Sequence, residues 1–136
     1  MISGLMHHAD ADPPLTDDEL VNITYILTVA RHETMASMLA LGTFALLEQP
    51  AQLAALRADP TLINGAVDEL LRYLTVIRMG VMRHASADIE LAGHVIPAGA
   101  LVIVSLLAAN RDGAVWPRPD ELDVTRPRNP HLAFGY

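Results

Sequence analysis

The sequence predicts a mainly α-helical chain with a small β-sheet region, an α+β arrangement. Three observations carry that expectation. A run of about thirty residues rich in apolar side chains starts at Thr16-Asp17-Asp18-Glu19 and meets no proline before Pro50. A second, shorter helical pattern ends near Leu74. After Gly80 the pattern changes to short β-branched stretches separated by Ala92-Gly93 and Pro97-Ala98-Gly99, which read as turns.

Taken in order, the opening through Pro13-Pro14 reads as loop, with a short apolar turn at Ile2 to Met6. Thr16 and Glu19 form a capping-box pattern, and Asp17 and Asp18 suit a helix N-terminus. The first helix is expected from about Asp17 to about Leu47, roughly 45 Å at 1.5 Å per residue. Leu20, Val21, Ile26, Leu27, Met35, Leu39 and Phe44 go most of the way round it, a pattern that belongs inside a larger protein. Pro50 introduces a helix over about Ala51 to Ala58, which Asp59-Pro60 breaks. Another helix is expected over about Leu62 to Leu74, with Val67, Leu70, Leu71 and Leu74 as its apolar stripe. Strands are expected at Val81 to Ala85, Ile89 to Leu91 and His94 to Ile96, with a buried strand at Leu101 to Ser105. From Arg111 to Pro130 the many prolines predict ordered coil.

Composition narrows the function. The 136 residues carry sixteen acids against nine bases, all nine of them Arg, for a formal charge of −7. That balance argues against a nucleic-acid binder, which needs clustered positive charge. No cysteine is present, which excludes disulfides, cysteine-based zinc sites and thiol catalysis. No secretory signal is visible at the start, and no apolar run approaches the roughly 18 residues of a membrane span. The expectation is a cytoplasmic protein without membrane contact.

Several polar groups stand out. Arg31-His32-Glu33-Thr34 lies mid-helix and on its own reads as a buried hydrogen-bonding patch. His32-Glu33 begins like the zinc-protease pattern H-E-x-x-H, but Ala36 occupies the second histidine's place. His7-His8, near the terminus, reads as solvated. Glu69 and Arg72 are spaced for an ion pair on one helix, a pairing usually worth a few tenths of a kcal/mol when exposed. Asn110-Arg111-Asp112 followed by Trp116-Pro117-Arg118-Pro119-Asp120 is the most specific string in the chain. The chain closes on Asn129-Pro130-His131-Leu132-Ala133-Phe134-Gly135-Tyr136.

In order and spacing these segments resemble the cytochrome P450 family, heme-thiolate monooxygenases, and the resemblance covers essentially the whole chain. It implies a single, partial P450 domain over residues 1–136, from the long central helix to the start of the loop that carries the cysteine ligand. That cysteine is expected about five residues beyond Tyr136, and the family pattern also continues upstream of Met1. The resemblance implies heme as cofactor, a ferredoxin-type electron donor, O2 and a small organic substrate. Ala30, Glu33 and Thr34 match the family's distal-helix motif, in which the acid and the alcohol deliver protons to oxygen and the small residue lines the heme. Arg31 stands where the family has glycine. Arg83 and His131 fall at positions of heme-propionate contacts, and Phe134 opens the ligand loop. Glu69, Arg72 and Arg126 match a buried structural triad that braces the heme-side core. The expectation is a fragment inactive alone, with no metal ligand of its own. The alternatives are a non-catalytic helical interaction module, a decayed remnant, or an altered, peroxide-using heme enzyme with Arg31 as a pocket cation.

Overall fold

The computed structural model describes residues 15–127 and 129–135, and the expected loop, turn and histidine pair of the first fourteen residues lie outside them. The described residues form two compact units, one running through Leu39 and the other from Ala40, and the division falls inside a continuous helix. The elements are helix α1 (Asp17–Glu48), helix α2 (Pro50–Ala58), a 3-10 turn (Pro60–Leu62), helix α3 (Ile63–Leu74), strands β1 (Arg83–His84), β2 (Ile89–Leu91), β3 (His94–Ile96) and β4 (Leu101–Val102), and the short helix α4 (Leu106–Ala109). The molecule is mostly helical with two small two-stranded sheets.

The first unit is the leading part of α1. Its start is set by a reciprocal cap. Thr16 Oγ1 accepts from the backbone N–H of Glu19 at 3.3 Å, and Glu19 Oε2 accepts from the N–H of Thr16 at 2.8 Å. The bonds that the Thr16 N–H and hydroxyl donate to this carboxyl, at 2.8 and 2.9 Å, hold it below its ordinary value, the backbone bond first. The helix runs 32 residues, about 48 Å, and its apolar residues show almost no preferred face.

In the second unit, Gly42 and Ala45 of α1 are buried. Pro50 takes the first turn of α2, where its missing N–H has no intrahelical acceptor to lose. Asp59 then accepts from both the N–H and the hydroxyl of Thr61, at 3.0 and 2.6 Å, which turns the chain into α3. Helix α3 is strongly amphipathic, but its inward face differs from the expected stripe. Ala66, Glu69, Leu70 and Arg72 are buried, while Val67 is 47% exposed. The face follows the charged pair because every polar atom of that pair finds a partner on the inner side.

β1 pairs antiparallel with β4, Arg83 opposite Val102, and β2 pairs with β3, Ile89 opposite Ile96. Ala92 (φ 50°) and Gly93 (φ 78°) are both left-handed, as the tight two-residue turn of the second hairpin requires. Two strand expectations need correction. The strand expected over Val81 to Ala85 is only Arg83–His84, preceded by an isolated bridge between Met79 and Ser105. The buried strand expected over Leu101 to Ser105 is Leu101–Val102, and it is not buried: Leu101 is 55% and Val104 57% exposed. Beyond it, Ser105 turns the chain into a helix: its Oγ accepts from the N–H of Ala108 at 3.2 Å and starts α4, an element the sequence pattern does not announce. Residues 111–127 form ordered coil that brings Trp116, Leu122 and Val124 into the core beside Ala66, Leu70, Leu106 and Ala133. No helix among the described residues is long and apolar enough to cross a membrane.

Candidate functional site

The second unit is organised around a buried charge cluster. Arg72 and Glu69 have no exposed side-chain surface and meet through two parallel bonds, Nε to Oε2 at 2.8 Å and Nη2 to Oε1 at 2.9 Å. Arg72 also donates to the carbonyls of Asn110 and Pro119, each at 2.8 Å, and of Glu121 at 2.9 Å. Those contacts use all five guanidinium N–H groups. The guanidinium also lies 5.4 Å from the centre of the Trp116 ring. The backbone N–H of Asp123 donates to Glu69 Oε1 at 3.0 Å, and Arg126 Nε (3.0 Å) and Asn129 Nδ2 (2.7 Å) both donate to Oε2. The structure thus brings Glu69, Arg72 and Arg126 together. Burial pushes the Glu69 carboxyl up, but the bonds from Arg72, the Asp123 backbone and Arg126 together hold it below its ordinary value. A buried carboxylate facing two guanidiniums is chemically committed: it braces the coil of residues 117–126 and is not available as a proton carrier.

A second polar layer lies beside it. Thr75, at the end of α3, is fully buried with φ 40° and ψ 62°, a left-handed conformation that costs a β-branched residue about 1–3 kcal/mol. Its hydroxyl donates to the carbonyl of Arg72 at 2.6 Å and accepts from Asn110 Nδ2 at 3.0 Å. Asn110 Oδ1 accepts from the N–H of Leu132 at 2.8 Å. Arg111 pairs with Asp120 at 2.8 Å and stacks 4.6 Å from the Tyr73 ring. Gln52 Oε1 also accepts from the N–H of Val124 at 2.9 Å, and sequence reasoning did not single out Thr75, Gln52 or Asn129 as members of this core. Asn110 and Arg111 were visible only as letters of a motif.

In the first unit, Thr34 is half-buried and its hydroxyl donates to the carbonyl of Ala30 at 2.7 Å, one turn back. Arg31, His32 and Glu33 are exposed. Glu33 and His32 line a shallow depression with Thr28, Val29, Ala36 and Ser37. No cluster of three metal-ligating side chains exists among the described residues.

Arg83 on β1 is exposed, and the only hydrogen bond of its side chain among the described residues is to the carbonyl of Met82 at 3.4 Å. His131 sits with Nε2 3.7 Å from Asp68 and Nδ1 accepting from the N–H of Ala133 at 3.3 Å. Its ring meets Phe134 edge-on, centroids 5.8 Å apart, and Phe134 itself is 81% exposed. An exposed guanidinium without an acid partner among the described residues and an imidazole beside an exposed aromatic ring suit a flat ligand with carboxylate arms. Taken singly, Arg83 and His131 have chemistry that would suit heme propionates; for iron, the sequence holds no cysteine to supply a thiolate.

The cytochrome P450 family model matches residues 1–135, and the chain belongs to that family. The family uses heme. Cytochrome P450 105C1 of a Streptomyces species is 54% identical over 136 residues, covering the whole of this chain and 35% of that relative. The cytochrome P450 monooxygenase PikC of Streptomyces venezuelae is 44% identical, again over the whole chain and 33% of the relative. The crystal structure of Rif16 in complex with R-L matches with TM-score 0.89 and 60% identity, covering 98% of this chain and 36% of that one. The chain therefore spans about a third of the length of the relatives it matches.

Proposed function

We propose that these residues are an internal part of the C-terminal half of a heme-thiolate monooxygenase that oxidises a small organic substrate with O2, and that the 136 residues alone do not carry out the reaction. Similarity over the whole chain to a relative named as a monooxygenase carries this reading. Heme, once ligated by thiolate, supplies the oxygen chemistry. In this reading Glu33 and Thr34 deliver protons, Ala30 lines the distal side, Arg83 and His131 hold the propionates, and Phe134 borders the proximal side. Glu69, Arg72 and Arg126 keep that side folded. Electrons come from a ferredoxin-type donor, and the setting is the cytoplasm.

Two spectroscopic experiments test it. The 136-residue chain mixed with hemin, reduced and exposed to CO is expected to give no thiolate-type spectrum; such a spectrum from this chain alone overturns the claim of inactivity. A chimera that replaces the matching segment of Rif16 with this chain is expected to give the thiolate-type spectrum. A chimera that folds but binds no heme overturns the monooxygenase reading. In that chimera Arg83→Ala is expected to weaken hemin binding without weakening that of hemin dimethyl ester, which lacks the carboxylates Arg83 would hold.

A further inference from the structure

We infer that Asn110, with Thr75 behind it, is the positioning residue for the segment from His131 to Phe134. The amide of Asn110 has no exposed surface and is used at both ends. Its oxygen takes the Leu132 N–H at 2.8 Å, and its nitrogen donates to the Thr75 hydroxyl at 3.0 Å. The direction of each bond is forced. Leu132 N–H can only donate, so the facing atom must be the amide oxygen. The Thr75 proton is committed to the carbonyl of Arg72 at 2.6 Å, so its oxygen can only accept from Asn110.

Aspartate would keep the shape and fail, because it would set a second acceptor, and a buried charge, against that oxygen. The Asn110 carbonyl meanwhile accepts from Arg72 Nη1 at 2.8 Å. One residue therefore links the buried guanidinium to the backbone that carries His131 and Phe134. The left-handed backbone of Thr75 points the same way. Gly or Asn would suit φ 40° better, and neither would place a hydroxyl between the Arg72 carbonyl and the Asn110 amide. What the segment holds belongs to the proposed function, whereas its placement is a property of the chain without heme.

The test is hydrogen exchange at the Leu132 amide in the heme-free 136-residue chain, with the α3 amides as an internal reference. Asn110→Ala, which removes the acceptor of the Leu132 N–H, and Thr75→Val, which removes the hydroxyl that orients the Asn110 amide, are expected to speed exchange at Leu132 about tenfold, the effect of one lost buried hydrogen bond, while α3 stays protected. Thr75→Ser, which keeps the hydroxyl, is expected to restore the slow rate. Three results overturn the inference: an unprotected Leu132 amide in the parent chain, unchanged exchange in both variants, or equal loss of protection through α3, which would make Asn110 and Thr75 general folding residues. Because no heme is present, failure of the monooxygenase reading leaves the result standing.

Discussion

Arg72 carries more of this molecule than its spacing from Glu69 implies. An exposed pair three residues apart would contribute a few tenths of a kcal/mol. Here both partners are fully buried, and the guanidinium ties α3 to three carbonyls far along the chain, those of Asn110, Pro119 and Glu121. Lysine keeps the charge but has three donors on a tetrahedral head, so at least two of the five bonds are lost and the fork onto Glu69 cannot form. Arg72→Lys is expected to destabilise the second unit by on the order of 3 kcal/mol, read as a shift in the urea unfolding midpoint. A shift below a few tenths would show that the cluster does not hold the fold. Thr75 and Asn129 were not legible at this scale. A threonine after a helix and an asparagine in a Pro-rich tail are ordinary letters, and only partners distant in sequence make them part of a core.

At the scale of elements, local chemistry was legible where it is self-contained. The Thr16–Glu19 cap and the left-handed pair Ala92-Gly93 involve neighbours only, and both form as the residues imply. Leu101 to Ser105 was misread as one buried strand, because an apolar run does not say which layer covers it. Ser105 redirects the chain by capping α4. Ser105→Ala is expected to cost about 1 kcal/mol and to fray α4. Because the N–H of Asn110 bonds to the Leu106 carbonyl at 2.9 Å, the same change should also speed exchange at the Asn110 amide. Unaltered exchange there would mean that α4 is held by packing of Leu106 instead of by its cap. Val67 makes the complementary point: helical periodicity marked it as core, but the buried polar pair turned the inner face of α3 away from it.

Two predictions belong to the whole molecule. Glu69 is the buried acid whose folded-state pKa lies below its ordinary value of 4.5. A depressed acid contributes stability that is fully present above its unfolded pKa and is lost as pH falls through its folded one. Glu69 should therefore add no pH dependence between neutrality and about 4.5, and its share should disappear progressively below that. Unfolding midpoints measured from neutral to acid pH check this, and stability that rises on acidification would contradict it. The second concerns solubility. Val21, Tyr25, Ile26, Val29, Met35 and Leu39 of α1 are each between 46% and 68% exposed, and Phe44 and Leu47 are 61% exposed. A helix with that much uncovered apolar surface seeks partners. Sedimentation of the isolated 136 residues is expected to show self-association at micromolar concentration. A stable monomer would mean that the face is covered in solution.

By itself the sequence determined the family, the helical character of the chain, the cap and hairpin turn, and the absence of a thiol. Each of these rests on short-range patterning or on residue identity, which a linear string carries in full. Tertiary structure alone decided which distant groups satisfy the buried Glu69–Arg72 pair that the family resemblance implies, that Asn129 joins it, and that Thr75 and Asn110 connect it to the closing segment. Those facts depend on which distant backbone groups reach a desolvated charge, and burial turns a pairing that water would make negligible into the centre of the fold.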